Sequence, residues 1–297
     1  MKTPLFTVVT ITYNSGEWIE ECIKSILKST FKDFELLISD DCSTDNTWES
    51  IQQFSDDRII AWQNESNVGE YKNRNKALAA AKGKYFLFVD GDDILYEESL
   101  GNLVSYINEF PTLVSIFGID KKCLPQIQVP LLLTGKEAYK WIYSYNVPIA
   151  FVGFAETLFK TETLKLCGGF PENFVCGDTY IKKLMPAFGP ILIITDSLQN
   201  WRTSENQASS NLNKDLIGYQ NNVIIDRKIL TNPIVKRWLD NPSVYNHNIK
   251  VRDAKLLFRH TILTLNLSLG FKLFKKLEFK LSDFKYLFTK SKIEKFF

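Results

Sequence analysis

Apolar and polar positions in the first third of the chain alternate between the period of a strand and the period of a helix. Four short runs of aliphatic and aromatic residues predict strands at residues 6–13, 34–39, 59–62 and 85–89. Three intervening segments carry apolar side chains at helical spacing, at residues 17–28, 44–54 and 70–82. This alternation predicts an α/β fold in which helices flank a mostly parallel, Rossmann-like central sheet.

The pattern is less regular over residues 110–200. Apolar runs predict further strands at residues 113–119, 150–159 and 191–195. A loop signal at residues 167–172 is followed by Gly177-Asp178, which begins a predicted helix. Beyond about residue 210 the pattern is helical and basic, so a helical extension is expected to follow the α/β body.

The composition is that of a globular protein with unevenly distributed charge. Hydrophobic residues make up 45% of the 297 positions and charged residues 24%, which is enough for a sizeable core. The net charge is only +2, but residues 250–297 hold twelve Lys or Arg against four Asp or Glu. The remaining residues hold 24 basic and 30 acidic side chains. An acidic body with a basic tail argues against a nucleic-acid binder.

Cysteine use and the lack of long apolar runs predict a cytosolic protein. The five cysteines are odd in number and form no Cys-x-x-Cys pair, so neither a disulfide framework nor a zinc site is expected. The N-terminal residues lead directly into the first predicted strand, without a signal-peptide pattern. No run reaches the roughly 18 apolar residues that a membrane span needs.

The tail, residues 251–297, interleaves leucine and phenylalanine with lysine. Basic, aromatic, amphipathic helices bind at membrane interfaces, where anionic lipid attracts the lysines and the apolar face is buried. Contact with an anionic membrane surface, on the inner face of the cytoplasmic membrane, is therefore one prediction. The same apolar stripe also fits packing against the α/β body or a second subunit, with the lysines simply solvated. The sequence leaves both interpretations open.

Polar side chains follow three of the predicted strands. They are Thr12-Tyr13-Asn14, Asp40-Asp41 and Asp90-Gly91-Asp92-Asp93. The carboxyl ends of parallel strands meet at one edge of a sheet, where ligands bind. Carboxylates this close repel each other, and a hard cation such as Mg²⁺ prefers their oxygens while keeping positions open for phosphate. The cluster predicts a metal that binds a diphosphate, and the alternative is an acidic turn that is only solvated.

Four motifs, taken in order, resemble glycosyltransferase family 2. They are Thr12-Tyr13-Asn14, the segment from Asp40 to Asp45, Asn67-Val68-Gly69 with Arg74-Asn75 and Ala77-Leu78, and the cluster from Asp90 to Asp93. The resemblance covers roughly residues 5–210 and implies the GT-A fold, a nucleotide-sugar donor and inversion of the anomeric carbon. It implies a GT-A domain over residues 1–212, with a nucleotide-binding half at 1–95 and an acceptor half at 96–212. The extension is then residues 213–297.

The resemblance also implies roles for individual side chains. The expected donor-binding residues are Thr12, Tyr13, Asn14, Asp41, Arg74, Asp90, Asp92 and Arg202. Tyr13 would stack on the base, and Asp41 would accept a hydrogen bond from a uracil N–H. The alternatives are core packing for Tyr13, a turn role for Asp41 and an exposed helix position for Arg74. Asp92 and Asp93 would hold Mg²⁺ or Mn²⁺, which neutralises charge on the departing nucleotide.

Inversion needs a base that removes the proton of the attacking acceptor hydroxyl. The resemblance assigns this role to Asp178, with Glu172 as the second candidate, and the alternative is an aspartate that only stabilises a helix N-terminus. The chain departs from the family at two positions. Gly177 stands before Asp178 where relatives often carry Glu, and Ser204 stands where they often carry His. Because serine is a poor metal ligand, weaker metal affinity is expected.

The resemblance implies an inverting enzyme that transfers a sugar from a UDP-sugar to a lipid-linked saccharide acceptor, in O-antigen or capsule assembly. A processive synthase is disfavoured because Gln199 and Arg202 complete only part of the Gln-x-x-Arg-Trp motif and no membrane spans are present. A sugar nucleotidyltransferase is also disfavoured, because this chain lacks the glycine-rich phosphate loop that such an enzyme needs. A non-catalytic carbohydrate-binding or scaffold protein is the alternative from a different class.

Overall fold

An eight-stranded sheet lies at the centre of the molecule. Its strands are β1 (Phe6–Thr12), β2 (Phe34–Asp40), β3 (Ile59–Gln63), β4 (Tyr85–Phe88), β6 (Ser115–Gly118), β7 (Leu131–Leu133), β8 (Thr157–Lys160) and β9 (Ile191–Ile194). Two short strands, β5 (Ile94–Leu95) and β10 (Gln199–Asn200), pair separately and antiparallel. This is a computed structural model, and it describes residues 3–123, 127–145, 147, 149, 154–202, 216–263 and 267–291.

The strand order is β3-β2-β1-β4-β8-β6-β9-β7. β8 is antiparallel to both of its neighbours and β7 is antiparallel to β9, so the other six strands of the sheet share one direction. The predicted mostly parallel α/β fold is confirmed.

Helices cover both faces of the sheet. The helices of the body are α1 (Ile19–Lys28), α2 (Thr47–Gln52), α3 (Glu70–Ala80), α4 (Ser99–Glu109), α5 (Gly135–Tyr143), α6 (Thr161–Leu166) and α7 (Gly177–Leu184). Neighbouring residues of a strand point to opposite faces, and Val8 and Val9 of β1 accordingly enter two different cores. The Val8 core includes Ile23 of α1, whereas the Val9 core includes Leu78 of α3 and Ile181 of α7.

Some predicted boundaries were wrong. The helix expected from Thr44 begins at Thr47, because the Asp45 carboxylate accepts hydrogen bonds from the backbone N–H groups of Gly16 and Thr47 and holds the preceding loop. The strand expected at 150–159 is only Thr157–Lys160, since residues 154–156 form a 3₁₀ turn and residues 150–153 lie outside the described part of the chain. The helices α4 and α5 and the short strands β5, β7 and β10 were not predicted.

The extension is helical, as predicted. It comprises α8 (Ile217–Thr231), α9 (Pro233–Lys236), α10 (Pro242–Leu263), α11 (Leu267–Lys276) and a 3₁₀ helix (Leu281–Phe288). None of the helices in the described ranges is both long enough and apolar enough to cross a membrane. The proposed domain boundary at residue 212 lies outside the described residues.

A buried polar network joins the extension to the body. Asp226 of α8 pairs with Lys183 of α7 at 2.7 Å and with Arg252 of α10 at 2.7 Å, and it accepts a hydrogen bond from the Tyr143 hydroxyl of α5 at 3.0 Å. Burial disfavours the charged form of Asp226, but the positive charges of Lys183 and Arg252 outweigh this effect and lower its pKa. The extension is therefore joined to the body through α8, and Arg252 links the first residues of the tail to the same network. Both interpretations of the apolar stripe of the tail stay predictions.

Candidate active site

Three loops meet at the carboxyl ends of β2, β1 and β4, which are adjacent and parallel. The Thr12 carbonyl accepts a hydrogen bond from the Asp41 N–H at 2.8 Å, and the Ile11 carbonyl accepts one from the Gly91 N–H at 3.2 Å. A Cβ at Gly91 would come within 2.8 Å of Thr12 Oγ1, so the lack of a side chain there lets the aspartate loop approach β1. Thr12 is itself buried, and it contributes to this edge through its backbone.

The loop after β1 exposes an aromatic ring. Tyr13 is 50% exposed, which excludes the alternative that it packs in the core. Asn14 adopts a left-handed conformation (φ 53°), which asparagine tolerates better than most residues. Its N–H donates to Ser43 Oγ at 2.8 Å, and its Oδ1 accepts from the Thr44 N–H at 2.8 Å. Asn14 therefore fixes the loop while the Tyr13 ring stays open to solvent, where a nucleotide base can stack on it.

Asp41 orders the loop before α3. Its carboxylate is buried and accepts three hydrogen bonds of 2.9 Å, from Asn64 Nδ2, the Val68 N–H and the Gly69 N–H. Gly69 has φ 89°, a conformation that glycine adopts without steric cost. The turn role that was the alternative for Asp41 is thus present, and contact with the base stays a prediction.

Arg74 is buried beneath the aspartate cluster, and not exposed as the alternative supposed. Its guanidinium donates two hydrogen bonds to the Asp90 carboxylate, at 3.0 and 2.9 Å, and also pairs with Glu70. It lies 4.3 Å from the ring centroids of both Phe88 and Phe154, and the side chain is only 4% exposed. Arg74 therefore neutralises and orients Asp90, and its contact with a nucleotide stays a prediction.

Asp93 is also held by the protein. It is buried, and its Oδ1 accepts a hydrogen bond from the Arg202 N–H at 3.1 Å. The pairing of β10 with β5 brings Arg202 to this position, where its guanidinium lies 4.8 Å from the Trp18 ring and pairs with Glu21. Burial raises the pKa of Asp93 to about 7, and the neighbouring charges of Asp90 and Asp92 act in the same direction.

The carboxylates fit a metal that is shared with a ligand. Within the described ranges, no group of three or more His, Cys, Asp or Glu side chains forms a metal cage. Mg²⁺, however, is often bound by one or two carboxylates together with water and substrate phosphates. Asp92 and Asp93 supply such oxygens. The pKa of Asp93 is raised first by burial and then by the negative charges of Asp90 and Asp92, and a nearby cation would act against both effects. Asp90 is already paired with Arg74, so the cluster does not depend on a metal for its whole charge balance.

Asp178 lies in the first turn of α7, as predicted, and its side chain is 22% exposed. The residue before it is Gly177, where relatives often carry Glu, and the surroundings of Gly177 explain this difference. The Gly177 N–H donates to the Tyr71 hydroxyl at 2.8 Å, and that hydroxyl donates to the Val175 carbonyl at 2.9 Å. A Cβ at Gly177 would come within 2.7 Å of the Tyr71 ring, so Tyr71 occupies the space that a glutamate would need.

Helix α3 connects the two parts of the site. Arg74 binds Asp90, Tyr71 binds the loop before Asp178, and Asn75 exchanges two 2.8 Å hydrogen bonds with the backbone of Phe170. Tyr71 and Asn75 were not predicted as site residues. A usable signal was present for Tyr71, because it lies on the same helical stripe as Arg74 and Leu78, where a polar side chain needs a partner.

Some candidate residues make few contacts with this arrangement or lie outside the residues that the structure describes. Glu172, the second candidate for the base, accepts a long hydrogen bond from Asn75 at 3.4 Å. Ser204 lies outside the described residues. His247 packs against the Tyr286 ring, with a ring nitrogen 3.3 Å from the Lys290 carbonyl oxygen.

Known proteins resemble part of this chain in sequence. TarS of Staphylococcus aureus, a poly(ribitol-phosphate) β-N-acetylglucosaminyltransferase, is 35% identical over 167 residues, which cover 54% of this chain and 28% of TarS. WfaP of Escherichia coli, a UDP-Glc:α-D-GlcNAc-diphosphoundecaprenol β-1,3-glucosyltransferase, is 36% identical over 103 residues, which cover 35% of this chain and 41% of WfaP. The chain therefore spans less than half the length of these relatives.

A solved structure supports the fold over nearly the whole chain. The crystal structure of Staphylococcus aureus TarS in complex with UDP-GlcNAc has a TM-score of 0.64 at 24% identity and covers 95% of this chain and 78% of that one. At this identity the similarity establishes the GT-A fold. The model of Glycosyl transferase family 2 matches residues 7–165, which include the strand-end loops described above. Because that match spans more than half of the sequence, the chain belongs to glycosyl transferase family 2.

Proposed function

We propose that this protein transfers a sugar from a UDP-sugar to a saccharide hydroxyl, with inversion at the anomeric carbon. The observation that supports this most directly is the arrangement around α3. Side chains of the helix are hydrogen-bonded both to the aspartate cluster and to the loop before Asp178. The proposed donor-binding edge and the proposed carboxylate base are therefore held in place by the same helix. The relatives TarS and WfaP act as sugar transferases, in keeping with this chemistry.

In the proposed reaction the donor lies across the carboxyl edge of the sheet. The base stacks on Tyr13, next to Asp41, and the diphosphate lies near Asp92, Asp93 and Arg202. A divalent cation held there by Asp92 and Asp93, Mg²⁺ or Mn²⁺, would supply positive charge to the departing nucleotide. Asp178 accepts the proton of the acceptor hydroxyl while that oxygen attacks the anomeric carbon from the opposite side.

The acceptor belongs, in this proposal, to cell-surface polysaccharide assembly. WfaP is described as acting on a diphosphoundecaprenol-linked sugar and TarS on poly(ribitol-phosphate). We therefore propose a lipid-linked saccharide acceptor for this chain. The acceptor would bind between the donor edge and α7, because the attacking hydroxyl must reach both Asp178 and the sugar.

A thermal-shift experiment tests the donor and metal parts of the proposal. UDP and UDP-sugars, each with and without Mn²⁺ or Mg²⁺, are added to the wild-type protein and to Asp92→Asn. A ligand present at a hundred times its Kd adds about 2.7 kcal/mol to the stability of the native state. We expect a nucleotide shift that grows with the metal in the wild type and loses this metal-dependent part in Asp92→Asn. Equal shifts in both proteins would contradict metal binding by Asp92, and no shift with any uridine nucleotide would contradict the donor class.

We also propose that the extension contacts an anionic membrane surface. Several large apolar side chains of this region stay exposed: Leu256, Phe258, Ile262, Leu267, Phe271, Leu281, Phe284 and Phe288. Residues of α10, α11 and the 3₁₀ helix also line an apolar groove of about 280 Å³. Lys272, Lys275 and Lys285 lie exposed among these residues, so apolar and cationic groups share one surface.

Vesicle binding tests this membrane contact. Phe271→Ser and Leu281→Ser remove side chains that are 71% and 80% exposed, and Leu166→Ser on α6, which is 69% exposed, is the matched control. Burial of one such side chain is worth about 1.5–3 kcal/mol, so each tail variant should bind vesicles containing phosphatidylglycerol about tenfold more weakly than the wild type. The control should bind like the wild type. Equal binding by all four proteins, or equal binding to purely zwitterionic vesicles, would contradict the proposal.

A further inference from the structure

Two consecutive lysines on α7 are fully buried, and they point to different partners. Lys183 pairs with Asp226 of α8 and belongs to the network that joins the extension to the body. Lys182 lies one helical turn after Asp178, and its ammonium group is 3.3 Å from the Asp178 carboxylate. The exposed fraction of both lysine side chains is 0%, whereas that of Asp178 is 22%. The ion pair of Lys182 thus has its cation inside the protein and its carboxylate at the surface of the site.

Burying an ammonium group costs free energy unless the group is paired with a negative charge, so the burial of Lys182 needs a physical explanation. Burial lowers the pKa of Lys182, and the negative charge of Asp178 opposes that effect. Asp178 and Lys182 stand at i and i+4 with the acidic residue first, which is the favourable orientation for a pair on a helix. Because the lysine is enclosed, its ammonium group has little freedom to move away from the carboxylate.

We propose that Lys182 is a positioning residue for the candidate base: its ion pair holds the Asp178 carboxylate toward the acceptor. This inference rests on the proposed function, since it gives Lys182 a task only if Asp178 accepts a proton. Among the described residues, Tyr71 of α3 and Cys176 before α7 also interact electrostatically with Asp178, and in turn Arg74 acts on Tyr71 and Lys183 acts on Cys176. The 3.3 Å contact with the carboxylate is what distinguishes Lys182 from these other cations.

The kinetic constants of transfer distinguish this role from a purely structural one. In Lys182→Met the ammonium group no longer holds the Asp178 carboxylate in one position, so fewer of its orientations suit the attacking hydroxyl. We expect kcat to fall about tenfold, a part of the roughly 10²–10⁴-fold contribution of a positioned general base. The KM for the donor should stay unchanged, because the donor-binding edge is not altered.

Two further variants serve as controls. Lys183→Met removes a buried lysine from the same turn of the same helix, so it matches the loss of stability, but it should keep the wild-type kcat. Lys182→Arg keeps the positive charge and should restore kcat. If Lys182→Met gives no folded protein by thermal unfolding, Lys182→Gln removes the charge with a smaller change in polarity and is measured in its place.

The outcomes separate the two proposals. A wild-type protein that binds uridine nucleotides but transfers no sugar to any saccharide acceptor contradicts the proposed function itself. An active wild type with the same kcat in Lys182→Met, or in its Lys182→Gln substitute, overturns only the role of Lys182. A fall in kcat of equal size in Lys183→Met also overturns that role, because the effect would then come from lost helix packing.

Discussion

Asp178→Asn is expected to reduce sugar transfer by about 10²–10⁴-fold, the usual contribution of a general base, while nucleotide binding stays at the wild-type level. Asparagine has nearly the same shape as aspartate, but its amide cannot accept the proton of the acceptor hydroxyl. Asp178 stands on α7, apart from the loops after β1, β2 and β4 that form the donor edge. Transfer is measured with a saccharide acceptor, and binding is measured by thermal shift with UDP.

Glu172→Gln is the matched control for this prediction. Glu172 was the second candidate for the base, and it lies in the same loop region with only a 3.4 Å hydrogen bond from Asn75. We expect this variant to keep most of its activity. Full activity in Asp178→Asn, combined with a large loss in Glu172→Gln, would transfer the role of base to Glu172.

Arg74→Met is expected to have the largest effect on stability. Removing one partner of a buried ion pair costs about 3–5 kcal/mol, and methionine retains the length of the side chain but not its charge. The 4% exposure of the Arg74 side chain places it among such buried groups, although Asp90 at 31% can be partly rehydrated. We therefore expect a loss of about 3 kcal/mol in the free energy of unfolding, measured with urea.

Arg58→Met provides a closely matched comparison. Arg58 also makes two hydrogen bonds to one carboxylate, that of Asp56, and its guanidinium also lies over a phenylalanine ring, 4.5 Å from the Phe34 centroid. Its side chain is 24% exposed, so water can replace part of what is lost, and we expect a cost of about 1 kcal/mol or less.

Donor binding shows which of two roles Arg74 has. If Arg74 acts through Asp90, Arg74→Met loses stability and donor affinity together, because Asp90 is no longer fixed. A protein of wild-type stability that has lost its nucleotide affinity would instead show that Arg74 contacts the donor directly, as the resemblance to the family implied.

The residues at the strand ends show which structural features short sequence patterns can predict. Tyr13, Asp41 and Asp90 could be placed at one edge from sequence, because strand periodicity and the rule for parallel sheets depend only on short segments and their order. The same reasoning did not find β7, which has three residues, or the 3₁₀ turn before β8, since runs this short carry too few periods. Helix α4 was missed even though Leu100, Leu103 and Ile107 are buried at helical spacing.

The amino-acid sequence was therefore sufficient for the α/β architecture, the family and the residue types of the site, because these follow from periodicity and from motifs of a few neighbouring residues. It was not sufficient for the pairing of charges. That Arg74 lies under Asp90, that Lys182 faces Asp178 from inside the protein, and that α8 docks through Asp226 depend on burial, and in most cases on contacts between distant parts of the chain. Tyr71 and Gly177, 106 positions apart, share one hydrogen bond. Such contacts arise only when the folded core removes water, so that each buried charge or polar group must find its partners within the protein.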